Sequence, residues 1–509
     1  MNDSTEKSHL RKSEKLLFLF FASALFLSVL PIMPYGDDVS YLTGPTCYAE
    51  FPSLMPSSGH WRPVDKLYGA LIYYIPWVYP FLNHLLVMLG HVSSALVLIL
   101  LARRFKVSWT MAFCAGIMFL THANAFATFS SIDSINQSLS LAFGSMSILA
   151  YLDRKFALYV LLAFFSVCSK ESGFLFFIIP PVLRIAGESE GASVFSKKFI
   201  IFSIKTLLPG FFLTLVYFSF TFGVSYFSPF VAEGVGGAIR KPYIYNPIFG
   251  SVALLGRIST VDLPAILMPE GKNTLLFAGT FIMGLLVLLA VFAFCALKIF
   301  RNLYVLALCG IIFILALSHA AVAALTEMNS YPVIFFSMLL AGSALVYFAE
   351  KFGKKKILVF AVAPFLVASA IVLIHKFHLI YETNKIGLYV VSNIEQATAG
   401  KSKPNRVFIM LIDNAHFGHD IYQLYPSIAS GYAGIMKQAW NNWDMDITYA
   451  SYRINVPLKE LVIPKSVKPV ELPKNEAEEI IEKISNEKIK DFDAVWILRQ
   501  NGEVAVKTK

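Results

Sequence analysis

Residues 79–106 read YPFLNHLLVMLGHVSSALVLILLARRFK, an apolar run followed at once by three basic side chains. A helix needs about 20 mostly apolar residues to cross a bilayer, and the run from 79 to 101 is long enough. Lys and Arg collect on the cytoplasmic side of membrane helices, so the cluster Arg103–Lys106 marks the inner end of the predicted helix. The stretch therefore predicts a transmembrane helix together with its orientation.

The same pattern recurs along most of the chain. Of the 509 residues, 56% are hydrophobic and 15% are charged, which leaves too little polar surface for a water-soluble protein of this size. The fifth and sixth runs are short, and Pro180 and Pro181 predict a kink there. The chain is predicted to be a polytopic α-helical membrane protein. The length rule predicts about eleven spans, near residues 16–34, 79–101, 108–127, 135–152, 156–168, 172–185, 200–221, 273–297, 302–323, 331–348 and 357–375.

The basic clusters agree with a cytoplasmic N-terminus, because each predicted inner connection contains one. The first run, Leu16–Met33, follows basic residues as a signal peptide would, but no small-residue cleavage site comes after it. We interpret it as a retained helix, with a cleaved signal as the alternative. The net charge of +10 falls mostly in these clusters and therefore indicates membrane topology and no nucleic-acid partner. The inner connections are Arg103–Lys106, Asp153–Lys155, Arg184–Lys198, Lys298–Arg301 and Glu350–Lys356.

Two domains are predicted. Residues 1–376 form the transmembrane domain, with long outer loops at 34–68 and 223–272. Residues 377–509 carry far more charge and are predicted to form a small soluble α/β domain. Its predicted elements are strands at Val407–Ile412 and Ala494–Leu498 and a helix at Asn475–Lys490. An odd number of spans places this domain on the extracytoplasmic side.

The first outer loop contains two groups of candidate site residues. Adjacent carboxylates at a membrane surface, Asp37 and Asp38, are costly to desolvate, so they indicate a general base, a ligand of a divalent cation, or a solvated turn. Farther along, Arg62 and Lys66 can donate to a phosphate, beside His60 and Trp61. Anchoring at the membrane interface explains Trp61, Arg62 and Lys66 equally well.

Two shorter outer connections hold further polar residues. His122 and Asp133 lie between the third and fourth spans and are further candidates for binding the donor phosphate or the substrate. Lys170 and Glu171 lie between the fifth and sixth, with almost no loop to solvate them. They must face a polar cavity or each other, and a purely structural ion pair between them is the alternative.

In this order, the motifs resemble those of the GT-C superfamily of polyprenyl-phosphate-dependent glycosyltransferases. Within it, the resemblance is to the branch of protein O-mannosyltransferases and transmembrane-TPR mannosyltransferases, and it covers about the first 185 residues. Glu327–Pro332 is weakly similar to a later Glu-Arg-x-Tyr-x-Pro segment of that branch. This chain departs from the pattern at Ala123, where relatives often have Pro, and at Asn136 and Gln137, near where an Arg and an acidic residue are expected.

The resemblance implies a membrane enzyme that transfers a sugar from undecaprenyl or dolichyl phosphate, with inversion. It implies that Asp37 or Asp38 is the base and that Arg62, Lys170 and Glu171 belong to the site. Arg240 and Lys241 suit a lid over it by composition only. A divalent cation on Asp37 and Asp38 is possible, but no complete ligand set is visible.

The implied partners are a polyprenyl-phosphate-linked sugar, membrane lipid, and an acceptor that is a glycan, a lipid or a protein. The interpretation favoured is a multi-pass protein of a bacterial inner membrane. A transporter or flippase of lipid-linked saccharide is the main alternative, but such proteins usually show two related halves and charges at the bilayer midplane. A scaffold that presents the C-terminal domain is the third.

Overall fold

A computed structural model describes residues 12–32, 61–74, 81–132, 134–188, 196–227, 247–263, 278–289, 303–322, 327–398, 404–413, 446–454, 470–499 and 503–509. These residues fall into two compact units, one built mainly from residues 81–375 and the other mainly from residues 376–509. The first unit is helical, and the second contains a β-sheet.

The helices follow the predicted apolar runs. In chain order they are α1 (Lys12–Val29), α2 (Pro63–Tyr74), α3 (Phe81–Arg104), α4 (Trp109–Leu120), α5 (Phe126–Ser130), α6 (Ile135–Leu152), α7 (Phe156–Ser169), α8 (Ile179–Glu188), α9 (Lys197–Phe227), α10 (Pro247–Ser259), α11 (Ala278–Leu289), α12 (Leu303–Val322), α13 (Glu327–Phe352), α14 (Lys354–Ile357) and α15 (Ala363–Thr398). Two 3-10 helices, Ala123–Ala125 and Glu171–Phe177, precede α5 and α8, and a π-helical turn, Leu358–Val362, joins α14 to α15.

Within the described segments, four helical stretches are long and apolar enough to cross a membrane, or up to five if the bent pair α4 and α5 forms one span. The four are Phe81–Arg104, Lys197–Gly223, Ser330–Phe352 and Lys354–Tyr381. The count of about eleven spans therefore stays a prediction. The segment 223–272, predicted as an outer loop, contains the end of α9 and the whole of α10.

One face of α9 exposes large apolar side chains. Leu208, Phe212 and Leu215 are each more than 60% exposed, although they are large apolar side chains. An apolar surface of this kind is stable against lipid and unfavourable against water. The structure therefore has the exposed apolar surface that a membrane protein requires.

The helices meet closely where small residues allow it. α10 and α11 approach at Gly256 and Gly284, where a Cβ on either residue would overlap the backbone of the other helix. Close contact through small residues is typical of helix pairs in membranes, because it increases dispersion contacts between the backbones. α8 begins as Ile179-Pro180-Pro181, so both prolines lie in its first turn, and the predicted kink stays a prediction. The first turn of a helix tolerates Pro because its N–H groups have no partner within the helix.

The second unit contains a five-stranded sheet. Its strands are β1 (Arg406–Ile412), β2 (Asp446–Arg453), β3 (Val470–Glu471), β4 (Ala494–Arg499) and β5 (Val504–Thr508), in the order β3-β2-β1-β4-β5. All neighbours are parallel except β4 and β5. β1 is buried along all but its first residue, as expected of a central parallel strand that is covered on both faces.

One further helix, α16 (Ala477–Lys488), packs Ile481 against Phe408, Met410 and Ile497 of the sheet. The predicted strands at Val407–Ile412 and Ala494–Leu498 and the helix predicted at Asn475–Lys490 are confirmed. The extracytoplasmic position of this unit stays a prediction.

Candidate functional site

The structure joins two motifs that are far apart in sequence. Arg62 lies immediately before α2, and Glu171 opens the 3-10 helix that follows α7. The Arg62 Nε and Nη2 atoms donate to the two carboxylate oxygens of Glu171, at 2.6 and 2.8 Å. Their side chains are 29% and 23% exposed, so the pair is neither fully buried nor fully solvated. This bidentate ion pair is the centre of the candidate site.

The local backbone explains how Glu171 is presented. Lys170 is extended, with φ −151° and ψ 141°, and it ends α7 before the chain turns into the 3-10 helix. The turn folds back so closely that a Cβ on Gly173 would lie 2.5 Å from the carbonyl carbon and oxygen of Ser166. Only glycine fits there, because any other residue has that Cβ. Gly173 thus allows the reversal that places Lys170 and Glu171 at the end of α7.

Aromatic side chains surround the residue before Arg62. The Trp61 ring stacks against Tyr217, with 6.3 Å between centroids, and meets Phe220 and Phe164 edge-on at 4.9 and 5.6 Å. Phe164 and Phe220 are 42% and 37% exposed, so this aromatic group reaches the apolar exterior. The ion pair therefore adjoins a surface that suits an apolar chain, while Arg62 can attract an anion.

His122 lies in the interior of the helical unit and is fully buried. Its Nδ1 accepts a hydrogen bond from the backbone N–H of Asn124, at 3.2 Å, so Nδ1 carries no proton. Nε2 must then carry one, and it donates to the carbonyl of Ile258 at 3.1 Å. Both ring nitrogens of a neutral imidazole are thus engaged in bonds that tie the turn after α4 to α10. Its predicted contact with the donor stays a prediction.

The structure contains a second ion pair that the sequence analysis did not predict. Arg257 in α10 donates through Nε and Nη2 to the carboxylate of Asp262, at 2.5 and 2.8 Å, and the two side chains are 2% and 1% exposed. The turn between them places two residues in the left-handed region, Val261 at φ 54° and Asp262 at φ 65°. A β-branched residue is strained there, so the surrounding contacts must hold the turn in place.

The turn that follows α4 connects several helices. The Leu120 carbonyl accepts from Nε2 of His91, whose Nδ1 accepts from the Tyr331 hydroxyl at 2.7 Å. Ser369 donates to the next carbonyl, that of Thr121, and Ser330 donates to that of Asn124. The Glu327–Pro332 segment, which matched the family motif weakly, thus contributes Ser330 and Tyr331 to this network.

Several predicted site residues fall outside the described part of the chain, and Lys66 falls inside it. Lys66 lies in α2 and is half-buried, and its backbone N–H donates to the Arg62 carbonyl at 3.0 Å. The described segments contain no group of three or more His, Cys, Asp or Glu residues that could hold a metal ion. The predicted site residues outside those segments are Asp37, Asp38, His60, Asp133, Arg240 and Lys241.

Comparison with known proteins finds solved structures that are similar to this chain. No family model and no curated protein sequence matches the chain. The chain is similar to the crystal structure of ArnT from Cupriavidus metallidurans bound to undecaprenyl phosphate, with a TM-score of 0.47 and 13% identity over 96% of this chain and 93% of that one. It is also similar to ArnT from the same organism in the apo state, with a TM-score of 0.47, 12% identity and the same coverage. At this level of similarity, neither residue roles nor substrates are transferred to this chain.

Proposed function

We propose that this chain is a membrane glycosyltransferase that moves a sugar from undecaprenyl or dolichyl phosphate to an acceptor hydroxyl on the extracytoplasmic face. The observation that supports it is the Arg62–Glu171 pair, because it brings together two of the motifs on which the resemblance to the GT-C superfamily depends. The two residues are 109 positions apart in sequence, so local structure alone does not explain their contact.

The chemistry of Arg62 fits a phosphate. A guanidinium group binds carboxylate and phosphate through the same planar pair of N–H donors. The Glu171 carboxylate holds that edge of Arg62 in this structure, and the partial exposure of both side chains leaves the pair open to an incoming anion. The adjoining aromatic residues Trp61, Phe164 and Phe220 give the lipid part of such a donor an apolar surface.

The reaction needs a base and a group that stabilises the leaving phosphate. In this mechanism, Asp37 or Asp38 takes the proton of the acceptor hydroxyl as its oxygen attacks the anomeric carbon from the face opposite the phosphate. The bond between the anomeric carbon and the phosphate oxygen breaks, and its electron pair leaves with the polyprenyl phosphate. Arg62 and Lys170 stabilise the charge that develops there, with inversion at the sugar, and Lys66, Arg240 and Lys241 are further candidates for this role.

The test is sugar transfer by purified protein in nanodiscs, with a panel of polyprenyl-phosphate sugars as donors. We expect Asp37→Asn or Asp38→Asn to abolish release of polyprenyl phosphate, and Arg62→Gln to slow it by about a hundredfold, as the loss of one charge-stabilising group does. The matched control is Arg184→Gln, because Arg184 pairs with Glu188 at 3.0 Å at the end of the helical unit that is predicted to be cytoplasmic. It should transfer sugar at the normal rate.

Two outcomes would contradict the proposal. Normal transfer by both aspartate variants would remove the assigned base. No turnover of any donor by the wild-type protein, together with movement of intact lipid-linked saccharide across a vesicle membrane, would replace the enzyme by a transporter.

A further inference from the structure

Two buried hydroxyls on α9 have no hydrogen-bond partner among the described residues. Tyr217 and Thr221 lie one helical turn apart and are 6% and 1% exposed. Their hydroxyls are close to each other, but neither makes a hydrogen bond of acceptable geometry with the other or with the rest of the described structure. A buried hydroxyl without a partner is costly, because it has lost water and gained nothing in return. The pair therefore needs an explanation.

Their position relative to Arg62 and Glu171 is fixed by ring contacts on both sides. Trp61, which precedes Arg62, stacks on Tyr217 and touches Phe220. Phe218 meets Phe174 of the 3-10 helix that carries Glu171, with 5.0 Å between centroids. This part of α9 therefore contacts both segments that supply the ion pair. Tyr217 also lies within electrostatic range of the charges of Glu171 and Arg62.

We propose that Tyr217 and Thr221 are phosphate-binding residues that act together with Arg62. Each hydroxyl offers one O–H donor, and a phosphate offers several acceptor oxygens. When the phosphate takes the place of the Glu171 carboxylate on Arg62, the two hydroxyls donate to oxygens that the guanidinium leaves unpaired. The inference rests on the proposed function and adds to it the residues of α9 that recognise the charged end of the lipid.

The experiment measures binding without turnover, in full-length protein in nanodiscs. Its probes are undecaprenyl phosphate, the neutral alcohol undecaprenol, and inorganic phosphate as a competitor. Tyr217→Phe and Thr221→Val each remove a hydroxyl and keep the shape of the side chain. The control is Tyr159→Phe, because the hydroxyl of Tyr159 is buried but already donates to the Phe177 carbonyl at 2.8 Å.

We expect Tyr217→Phe and Thr221→Val each to weaken undecaprenyl phosphate about tenfold, as the loss of a hydrogen bond to a charged group does. Undecaprenol binding should not change. The melting temperature of the free protein should not fall in either variant, since no hydrogen bond is lost. Tyr159→Phe should do the reverse: lower the melting temperature and leave the affinity for undecaprenyl phosphate intact.

Three results would overturn the inference. Wild-type affinity for undecaprenyl phosphate in both variants would show that the hydroxyls do not touch the phosphate. A melting temperature lowered as much as in Tyr159→Phe would show that they already have partners in the free protein. Inorganic phosphate that competes as tightly as the lipid would assign the site to the free anion. If the wild-type protein does not prefer undecaprenyl phosphate to undecaprenol, the proposed function itself is wrong.

Discussion

The ion pair between Arg257 and Asp262 allows a sharp test of the buried interior. We consider Asp262→Asn, which keeps the size of the side chain and suits the left-handed backbone at φ 65°, a conformation that Asn tolerates well. The substitution removes the negative charge that faces a guanidinium that is 2% exposed. Removing one partner of a buried pair typically costs about 3–5 kcal/mol.

The second half of the test removes the other charge. Arg257→Met in the Asp262→Asn background removes both charges of this pair, and replacing a buried pair by neutral groups is often neutral or stabilising by about 1–4 kcal/mol. The double variant should therefore be more stable than Asp262→Asn alone. The control is Asp153→Asn, whose partner Arg104 lies 3.4 Å away in a pair that is about half exposed. It should cost less than about 1 kcal/mol.

Thermal unfolding in detergent, followed by circular dichroism, ranks the variants. The expected order of melting temperatures has Asp262→Asn lowest, Asp153→Asn near the wild type, and the double variant at or above the wild type. A double variant that melts at or below Asp262→Asn would refute the reasoning, because the cost would then come from lost packing or from the strained turn and not from an unpaired charge.

Three further predictions concern other parts of the molecule. Gly173→Ala should lower the rate of sugar transfer per folded molecule, because the alanine Cβ would force the turn away from Ser166 and displace Glu171. The yield of folded protein should fall by a smaller factor than this rate. In a double-mutant cycle, Arg62→Gln and Glu171→Gln should show a coupling free energy of about 1 kcal/mol, derived from thermal unfolding, which lies between the values for exposed and buried pairs. Additive effects of the two substitutions would contradict the contact. Two backbone amides donate to Asp493 and hold the pKa of that carboxyl below its usual value of about 4. Its stabilising effect on the sheet should therefore be complete above the usual pKa and be lost as the pH falls further, through the lowered pKa. The difference in urea midpoint between wild type and Asp493→Ala should shrink in the same way.

The sequence located most helices and the central strands because their signals are local. An apolar run such as 79–101 predicts a helix from length alone, and α3 occupies Phe81–Arg104. The β1 and β4 runs were recognisable because a strand that is buried on both faces is continuously apolar. The helix α10 was missed because its 13 residues are too few to cross a membrane, so segment 223–272 was predicted to be a loop.

The candidate site was predictable only in its charged part. Glu171 stands out because it lies between two apolar runs with almost no loop to solvate it, and Arg62 stands out because it can donate to a phosphate. Neither spacing nor composition shows that they contact each other. The pairing of Arg257 with Asp262 depends on a left-handed turn at Val261. Valine rarely adopts this conformation, so the sequence does not predict the turn.

Helix α9 shows why the hydroxyl pair escaped notice and why it matters. Along the apolar run 200–221, one Tyr and one Thr look like ordinary members of a lipid-facing helix. The fold separates the faces: Leu208, Phe212 and Leu215 face outward, while Tyr217 and Thr221 are buried against the segments that carry Arg62 and Glu171. An apolar side chain in their place would satisfy the packing without leaving a buried hydroxyl unpaired. Within the described residues their hydroxyls have no partner, and a phosphate bound at Arg62 is a group that can supply one.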